Sequence, residues 1–401
     1  MNYMLTTERP QDPVLLRKAE IWSILEEICA ALDLTETQYE AAMKSYEAVA
    51  DWLSGSDDPV LQHIEVYPHG STGLGTSVKP LQREDFDVDL ICLALLFSAQ
   101  RSPTELKRIV GDRLRQNARY AAMLEEKKRC WRLNYAREFH LDISPTIPNI
   151  RCSNGGELVP DKKLREWKPT NPKGYKAIFE RRAAFYPRMR LQKSETYARD
   201  DAQIAPFPAR TSAKGILRRT VQLLKRHRDV AFMNIEADIA PISIIITTLA
   251  ARSYELCVNN FTFDTELDVL VATIRMMPHF IERPIVNGRR MYVVPNEATM
   301  GENFAERWNA EPERTKAFYD WHAKALADFE KLDNLEGLDL ITMGLDKSLG
   351  SNVVRKVMDA RTNVVSEARS ARKLYVAPVV GLTLSSGAQA TVVPRNTHFG
   401  D

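Results

Sequence analysis

The stretch from His69 to Leu93, HGSTGLGTSVKPLQREDFDVDLICL, concentrates residues that could act on a phosphate. Asp87 and Asp89 are separated by one residue at the start of a run that turns apolar at Leu90-Ile91-Cys92-Leu93. Residues two apart on a strand share a face, so both carboxylates point to one spot. Like charges so close are costly unless a cation lies between them, and oxygen-only donors of this kind suit Mg2+, with Mn2+ as a substitute. Just upstream, Gly70-Ser71 opens a turn rich in Gly, Ser and Thr. Backbone N–H groups and a hydroxyl there can approach a phosphate closely. Downstream, Asp142 sits in FHLDIS between Leu141 and Ile143, which places a third carboxylate in another apolar strand. Three carboxylates shared between divalent ions would stabilise both the attacking and the leaving oxygen of a phosphoryl displacement.

Each part alone is ordinary. A Gly-Ser pair is commonly only a turn, and Asp-x-Asp is common on solvated strand faces. The pattern becomes specific when the three occur in order. Asp85 and Asp87 have the same spacing and remain an alternative pair; Asp87 with Asp89 is preferred because the apolar run follows directly.

The elements that must position these groups can be read around them. Helices are expected over Pro13–Leu32 and after Thr35, where Thr35 and Gln38 form a capping box. Strands are expected at Ile64–Tyr67, Phe86–Leu93 and Phe139–Ile143, with a helix over Thr104–Lys127 between the last two. From Pro145 to Pro208 the chain is rich in Pro, Lys and Arg and reads as loops. Helical periodicity then dominates, at Ser212–Arg228, Ala240–Leu256, Leu267–Met276, Ala310–Leu332 and Asn352–Ala371. The expected fold class is mixed α/β, of the α+β kind: a lobe with a mixed sheet, a C-terminal helical lobe and a cleft between them. The expected domains are residues 1–205, including the opening helices, 206–384 for the helical lobe, and 385–401 as a flexible tail.

The 401 residues suffice for two packed lobes, and 44% hydrophobic content excludes wholesale disorder. The formal charge of +2 conceals a division. Residues 101–230 hold 31 Lys+Arg against 14 Asp+Glu, a local +17, and the rest of the chain carries −15. That pattern indicates a polyanion site between acidic flanks. The longest apolar run, Ile239–Ala251, is too short for a membrane span, and the N-terminus lacks the pattern of a secretory signal. Five scattered cysteines without a C-x-x-C pair speak against a disulfide framework or structural zinc, and point to a reducing cytoplasm.

With Gly70-Ser71, Asp87, Asp89 and Asp142 in place, the chain resembles the polymerase-β-like nucleotidyltransferases. Within them it is most similar to the cGAS/DncV-like (CD-NTase) enzymes of bacterial anti-phage (CBASS) signalling. LVPDKKLREWKPTNPKGY (Leu158–Tyr175) resembles the segment that follows the third aspartate in bacterial members, and ENFAERW (Glu302–Trp308) is a further similar block. LLKRHRD (Leu223–Asp229) followed by PISIII (Pro241–Ile246) resembles the helical pair whose Lys and Ser hold the donor triphosphate, here Lys225 and Ser243.

The resemblance implies a Mg2+-dependent, template-independent enzyme that joins NTPs, ATP among them, into a cyclic di- or trinucleotide second messenger and releases pyrophosphate. It also implies Asp87, Asp89 and Asp142 as metal ligands, with Asp142 helping to activate the acceptor hydroxyl. A downstream effector would sense the product, and a regulatory protein or conjugation through the C-terminal THFGD (Thr397–Asp401) is a further expected link. Without zinc-ligand spacing, obligatory activation by double-stranded DNA is not expected. The residues themselves leave more open. Transfer to RNA or protein, or a silent nucleotide-binding scaffold, would suit the same charges. Arg218, Arg219, Arg226 and Arg228 could form a solvated helix face. Ser243 could bond back to its own helix, and Trp167 and Tyr175 could stack on a base or pack a loop.

Overall fold

The computed structural model describes residues 12–81, 86–135, 139–161, 166–190, 214–235, 237–377, 381–383 and 391–394. Two helices lead. In α1 (Pro13–Leu32) Pro13 occupies the first turn and Asp12 caps it, accepting the Val14 N–H at 2.9 Å. In α2 (Glu36–Ser54) the Thr35/Gln38 box closes in both directions, as the spacing predicts. There follow β1 (Ile64–His69), the single-turn helix α3 (Gly70–Leu74) and β2 (Phe86–Ala94).

Next comes a departure from the expected single helix over Thr104–Lys127. It divides into α4 (Pro103–Arg115) and α5 (Ala118–Met123), and its last residues become strand β3 (Leu124–Glu126). Asn117 makes the break, because its side chain accepts the Arg119 N–H at 3.0 Å and so starts a new helix. Strands β4 (Trp131–Tyr135) and β5 (Phe139–Pro148) follow.

The Pro-rich segment expected to be loops is also structured where it is described. It contains the hairpin of β6 (Glu157–Asp161) and β7 (Glu166–Thr170), then α6 (Pro172–Ala183). Pro160 and Pro169 are tolerated because these strands lie off the main sheet path, where fewer ladder bonds are required. Asn171 and Pro172 start α6, with the Asn171 side chain accepting the Gly174 N–H at 2.8 Å.

The helical part holds α7 (Ile216–Ala231), α8 (Ser243–Asn260), α9 (Glu266–Met276), α10 (Pro312–Leu332), α11 (Leu338–Leu349) and α12 (Ser351–Ser370). Within the stretch expected as a flexible tail, Thr391–Val392 pairs with Tyr375–Val376 in a small antiparallel sheet. No helix among the described residues is long and apolar enough to cross a membrane.

The main sheet runs β1-β2-β5-β4-β3, with β6 and β7 added at β5. Only β2 and β5 among its neighbours are parallel; the other pairs are antiparallel. One apolar core lies between this sheet and α2, α4 and α5, around Val88, Leu90, Leu141 and Ile143. A second joins α1 to α7–α12. Removing each large aliphatic side chain in them from water contributes roughly 1.5–3 kcal/mol, which holds both lobes rigid around their shared cleft.

Candidate active site

Strand register assembles the site. His69 on β1 lies opposite Asp89 on β2, Asp89 opposite Asp142 on β5, and Asp142 opposite Arg132 on β4. Residues paired across strands point to the same face. Their neighbours Val88, Leu90, Leu141 and Ile143 are buried on the other face. Asp87 stands two residues before Asp89, so the register brings the three expected carboxylates to one face. Asp85 lies outside the described residues.

Asp89 is the innermost carboxylate. Burial, reinforced by the negative charges of Asp142 and Asp87, pushes its carboxyl up to about 7 against the pull of Lys225 and Arg132. Gly70 is shaped by this residue. Its φ is +60°, and a Cβ there would sit 2.1 Å from Asp89 Oδ2. The glycine therefore serves Asp89 as well as the turn, and the expected turn is the first residue pair of α3. His69 precedes it; burial pushes its imidazole down to about 4, so the ring is neutral near pH 7.

Sequence reasoning missed Arg132, which completes the rung. Its Nε and Nη2 donate to Asp142 Oδ1 and Oδ2, each at 2.7 Å, and Nη2 also donates to Asp87 Oδ1 at 3.1 Å. The alternating β4 pattern WRLNY could have placed this cation on the polar face, but only the register sets it beside Asp142. Among the described residues, no three His, Cys, Asp or Glu side chains form a group that could hold a metal ion as they stand. Asp87 and Asp142 are instead bridged by a cation belonging to the chain. A carboxylate-only donor set that already holds a guanidinium fits a hard divalent ion in chemistry, once that guanidinium moves.

The helical side supplies the expected Lys225 and Ser243. Lys225 is 7% exposed, and its Nζ donates to the Thr76 carbonyl at 2.9 Å. Burial, then the nearby Arg228, lowers its ammonium to about 8. Helix α8 begins at Ser243, three residues later than expected, because Pro241 keeps the preceding chain extended. Ser243 is thus at a helix N-terminus, where backbone N–H groups are unspent and anions are favoured. Its hydroxyl accepts from Arg228 Nη1 at 3.1 Å and makes no bond back to its own helix. Ser71 is held near this wall by Ser77, whose hydroxyl donates to Ser71 Oγ at 3.3 Å.

Of the two readings left open for the α7 arginines, the solvated face is not the one realised at Arg219 and Arg226. Arg219 and Arg226 are each 4% exposed. Arg219 reaches Asp33 at 3.0 Å, Arg226 donates to the Leu349 carbonyl at 2.7 Å, and Arg218 donates to the Leu74 carbonyl at 3.0 Å. These cations fasten α7 to both lobes.

Gly70, Ser71, Asp87, Asp89, Asp142, Lys225 and Ser243 all line one cleft of about 1360 Å3. Tyr175 is on its wall, edge-on to Phe304 with ring centroids 5.8 Å apart, which brings the Glu302–Trp308 block to the same cavity. Trp167 packs edge-on against Phe97 at 6.2 Å, so for this residue the loop-packing alternative holds. Glu157, 2% exposed, accepts from Tyr67 and from Thr146 and fixes the Tyr67 hydroxyl at the cleft wall.

Comparison with known proteins agrees with this fold. Residues 20–182 match the Second Messenger Oligonucleotide or Dinucleotide Synthetase domain. A c-di-GMP synthase of Roseivirga ehrenbergii is 30% identical over 388 residues, covering 96% of this chain and 98% of the relative. The CD-NTase CdnG of Bradyrhizobium diazoefficiens, solved with GTP, superposes with a TM-score of 0.66 at 19% identity, over 88% of this chain and 100% of the other. CdnC of E. coli MS115-1, solved with a HORMA protein, does so with a TM-score of 0.56 at 15% identity, over 83% and 97%. Carboxylates in register on a mixed sheet, a lysine and a helix N-terminus across the cleft, and a relative matched along almost its whole length place this chain in the CD-NTase family of nucleotidyltransferase enzymes.

Proposed function

We propose that this enzyme joins two GTP molecules into a cyclic dinucleotide second messenger in a Mg2+-dependent reaction. The observation that carries the reading is the rung of Asp89 and Asp142, with Asp87 beside it, at the wall of a cleft of about 1360 Å3. That volume exceeds the roughly 300–1,000 Å3 of a site for one small ligand, and leaves room for a donor and an acceptor nucleotide. GTP is favoured because the full-length relative is a c-di-GMP synthase and CdnG is seen with GTP.

Asp87 and Asp89 would hold Mg2+, with Asp142 as the third ligand; bound there, the ion neutralises charge on the triphosphate. Lys225, the Ser243 end of α8 and the Ser71 hydroxyl bind and orient the phosphates. Asp142 orients the acceptor ribose hydroxyl and helps to take its proton. The hydroxyl oxygen forms a bond to the α-phosphorus as the bond to the bridging oxygen of pyrophosphate breaks. A second such transfer within the cleft closes the ring, so two GTP give one cyclic product and two pyrophosphates. The catalytic work is positioning and charge neutralisation.

In the cell the product would act on an effector in anti-phage defence, and the enzyme would work in the cytoplasm. Because CdnC is seen with a HORMA protein, a regulatory protein partner is part of this reading. The proposed conjugation site, Thr397–Asp401, lies outside the described residues.

The test is to incubate the full chain with GTP, and separately with all four NTPs, in Mg2+ or Mn2+, and to analyse the products by mass spectrometry. The expected result is a phosphatase-resistant cyclic dinucleotide, with synthesis reduced at least about 10^3-fold by Asp87→Asn together with Asp89→Asn. A wild-type enzyme that only extended RNA 3′ ends, or modified protein, would overturn the reading.

A further inference from the structure

The sheet rung does not end at Arg132. On its outer side Arg132 lies directly opposite Glu125 of β3. Cross-strand partners share a face, so this cation stands between two acidic neighbours, Asp142 inward and Glu125 outward. The inner position is the occupied one, with both Asp142 oxygens and one Asp87 oxygen taken by the guanidinium. Glu125 already lies within electrostatic reach of Arg132 and is half exposed, held by Lys127 at 2.5 Å and Asn134 at 3.4 Å.

We infer that Arg132 is a resident counter-cation that occupies the carboxylate site before metal arrives and withdraws along the rung to Glu125 when a divalent cation enters. This rests on the reading of Asp87, Asp89 and Asp142 as metal ligands. Three facts lead to it. Arg132 already bridges Asp87 and Asp142, two of the three proposed ligands. Both Asp142 oxygens accept from the guanidinium, so a metal ion or an acceptor proton must compete with it there. And Arg132 needs only to move its side chain to meet the next carboxylate on the same face, because its backbone is fixed in the ladder between β3 and β5.

The bridge has a physical purpose. Carboxylates brought to one face by strand register repel one another, and Asp89 cannot relieve this by turning away because Gly70 packs against it. A guanidinium spanning Asp87 and Asp142 offsets that repulsion. A lysine could not do this equally well, since its ammonium is a point charge without the planar fork. The same bridge makes divalent binding an exchange of one cation for another, and so sets the metal concentration at which the enzyme turns on.

The direct measurement is Mn2+ uptake by the full chain, followed by its electron paramagnetic resonance signal with and without a non-hydrolysable GTP analogue. Arg132→Gln is expected to bind Mn2+ about tenfold more tightly, the scale of a charge-assisted hydrogen-bonded pair that no longer has to be displaced. Glu125→Gln is expected to weaken binding about two- to threefold, because the displaced guanidinium loses its outer partner. The double variant should follow Arg132→Gln, and Arg132→Lys should fall between it and wild type. Thermal unfolding supplies a second reading. Metal-free Arg132→Gln should melt below wild type, with the gap closing as Mg2+ is added. Uptake that is unchanged or weakened in Arg132→Gln overturns the inference. An unchanged Glu125→Gln overturns the withdrawal to Glu125. No uptake by wild type or any variant removes the metal reading itself, and this inference with it.

Discussion

The sheet face at Asp89 and the helix α7 bury charge on two sides of one cleft, in opposite ways. On the sheet, Asp87, Asp89 and Asp142 are gathered by register with Arg132 as their bridging cation, and burial with like charge pushes Asp89 up to about 7. On α7, Lys225 and Arg226 are each held by a backbone carbonyl, of Thr76 and Leu349, whereas Arg218 and Arg219 pair with Glu180 and Asp33. A carbonyl accepts a hydrogen bond without cancelling the charge, so Lys225 keeps its positive charge at the cleft wall. The carboxylates, by contrast, are charges in search of a cation. The difference separates a fixed side from one proposed to switch: α7 is wired into the scaffold, while the sheet site, on the inference above, exchanges its counter-ion.

That contrast can be broken experimentally, beginning with its positive side. Lys225→Met keeps the length and apolar stem of the side chain and removes the charge. It should lower kcat/KM for GTP about 10^2-fold, read in steady-state kinetics, with little change in thermal midpoint. A collapse of stability without a specific kinetic loss would show that Lys225 is a strut and no more. The acidic side is sharpened by pH. Asp89 has a folded-state value near 7, above that of an unfolded carboxylate, so the folded protein binds the extra proton between about pH 4 and 7. Its contribution to metal-free stability is therefore greatest at low pH and is lost as pH rises through 7. Asp89→Asn should raise the metal-free thermal midpoint by a few °C at pH 8, by less than half as much at pH 5, and hardly change it below pH 4. Equal shifts at pH 8 and pH 5 would contradict the buried like-charge picture. The smallest expected effect is at the boundary between the two sides. Ser243→Ala removes one hydroxyl from the α8 terminus while leaving its N–H groups, so KM should rise only about threefold to tenfold at nearly constant kcat. A larger loss would assign the hydroxyl, rather than the helix end, the main hold on phosphate.

Much of this was legible in the residues. Asp87, Asp89 and Asp142 announced themselves because carboxylates rarely interrupt apolar strands, and the Thr35 box and Pro13 marked real helix starts. The departures share a cause: a signal read from one segment was overruled by the segment it pairs with or packs against. Leu124–Glu126 reads as the end of a helix until β4 offers it a ladder. Pro160 and Pro169 read as loop residues until an off-path position makes their missing N–H groups harmless. For the arginines of α7 the sequence left a wet face and a buried one both open, and packing decided it for Arg219 and Arg226.

Sequence by itself determined which chemistry this protein carries, since side-chain type, strand periodicity and local capping are properties of neighbouring residues. The tertiary structure alone decided how those groups meet. Strand register, which no local pattern specifies, set Arg132 beside Asp142 and, across a gap of more than forty residues, Asp142 beside Asp89. Packing of Gly70 against Asp89, and of α7 within the helical core, then fixed the charges where a nucleotide and its counter-ion would need them.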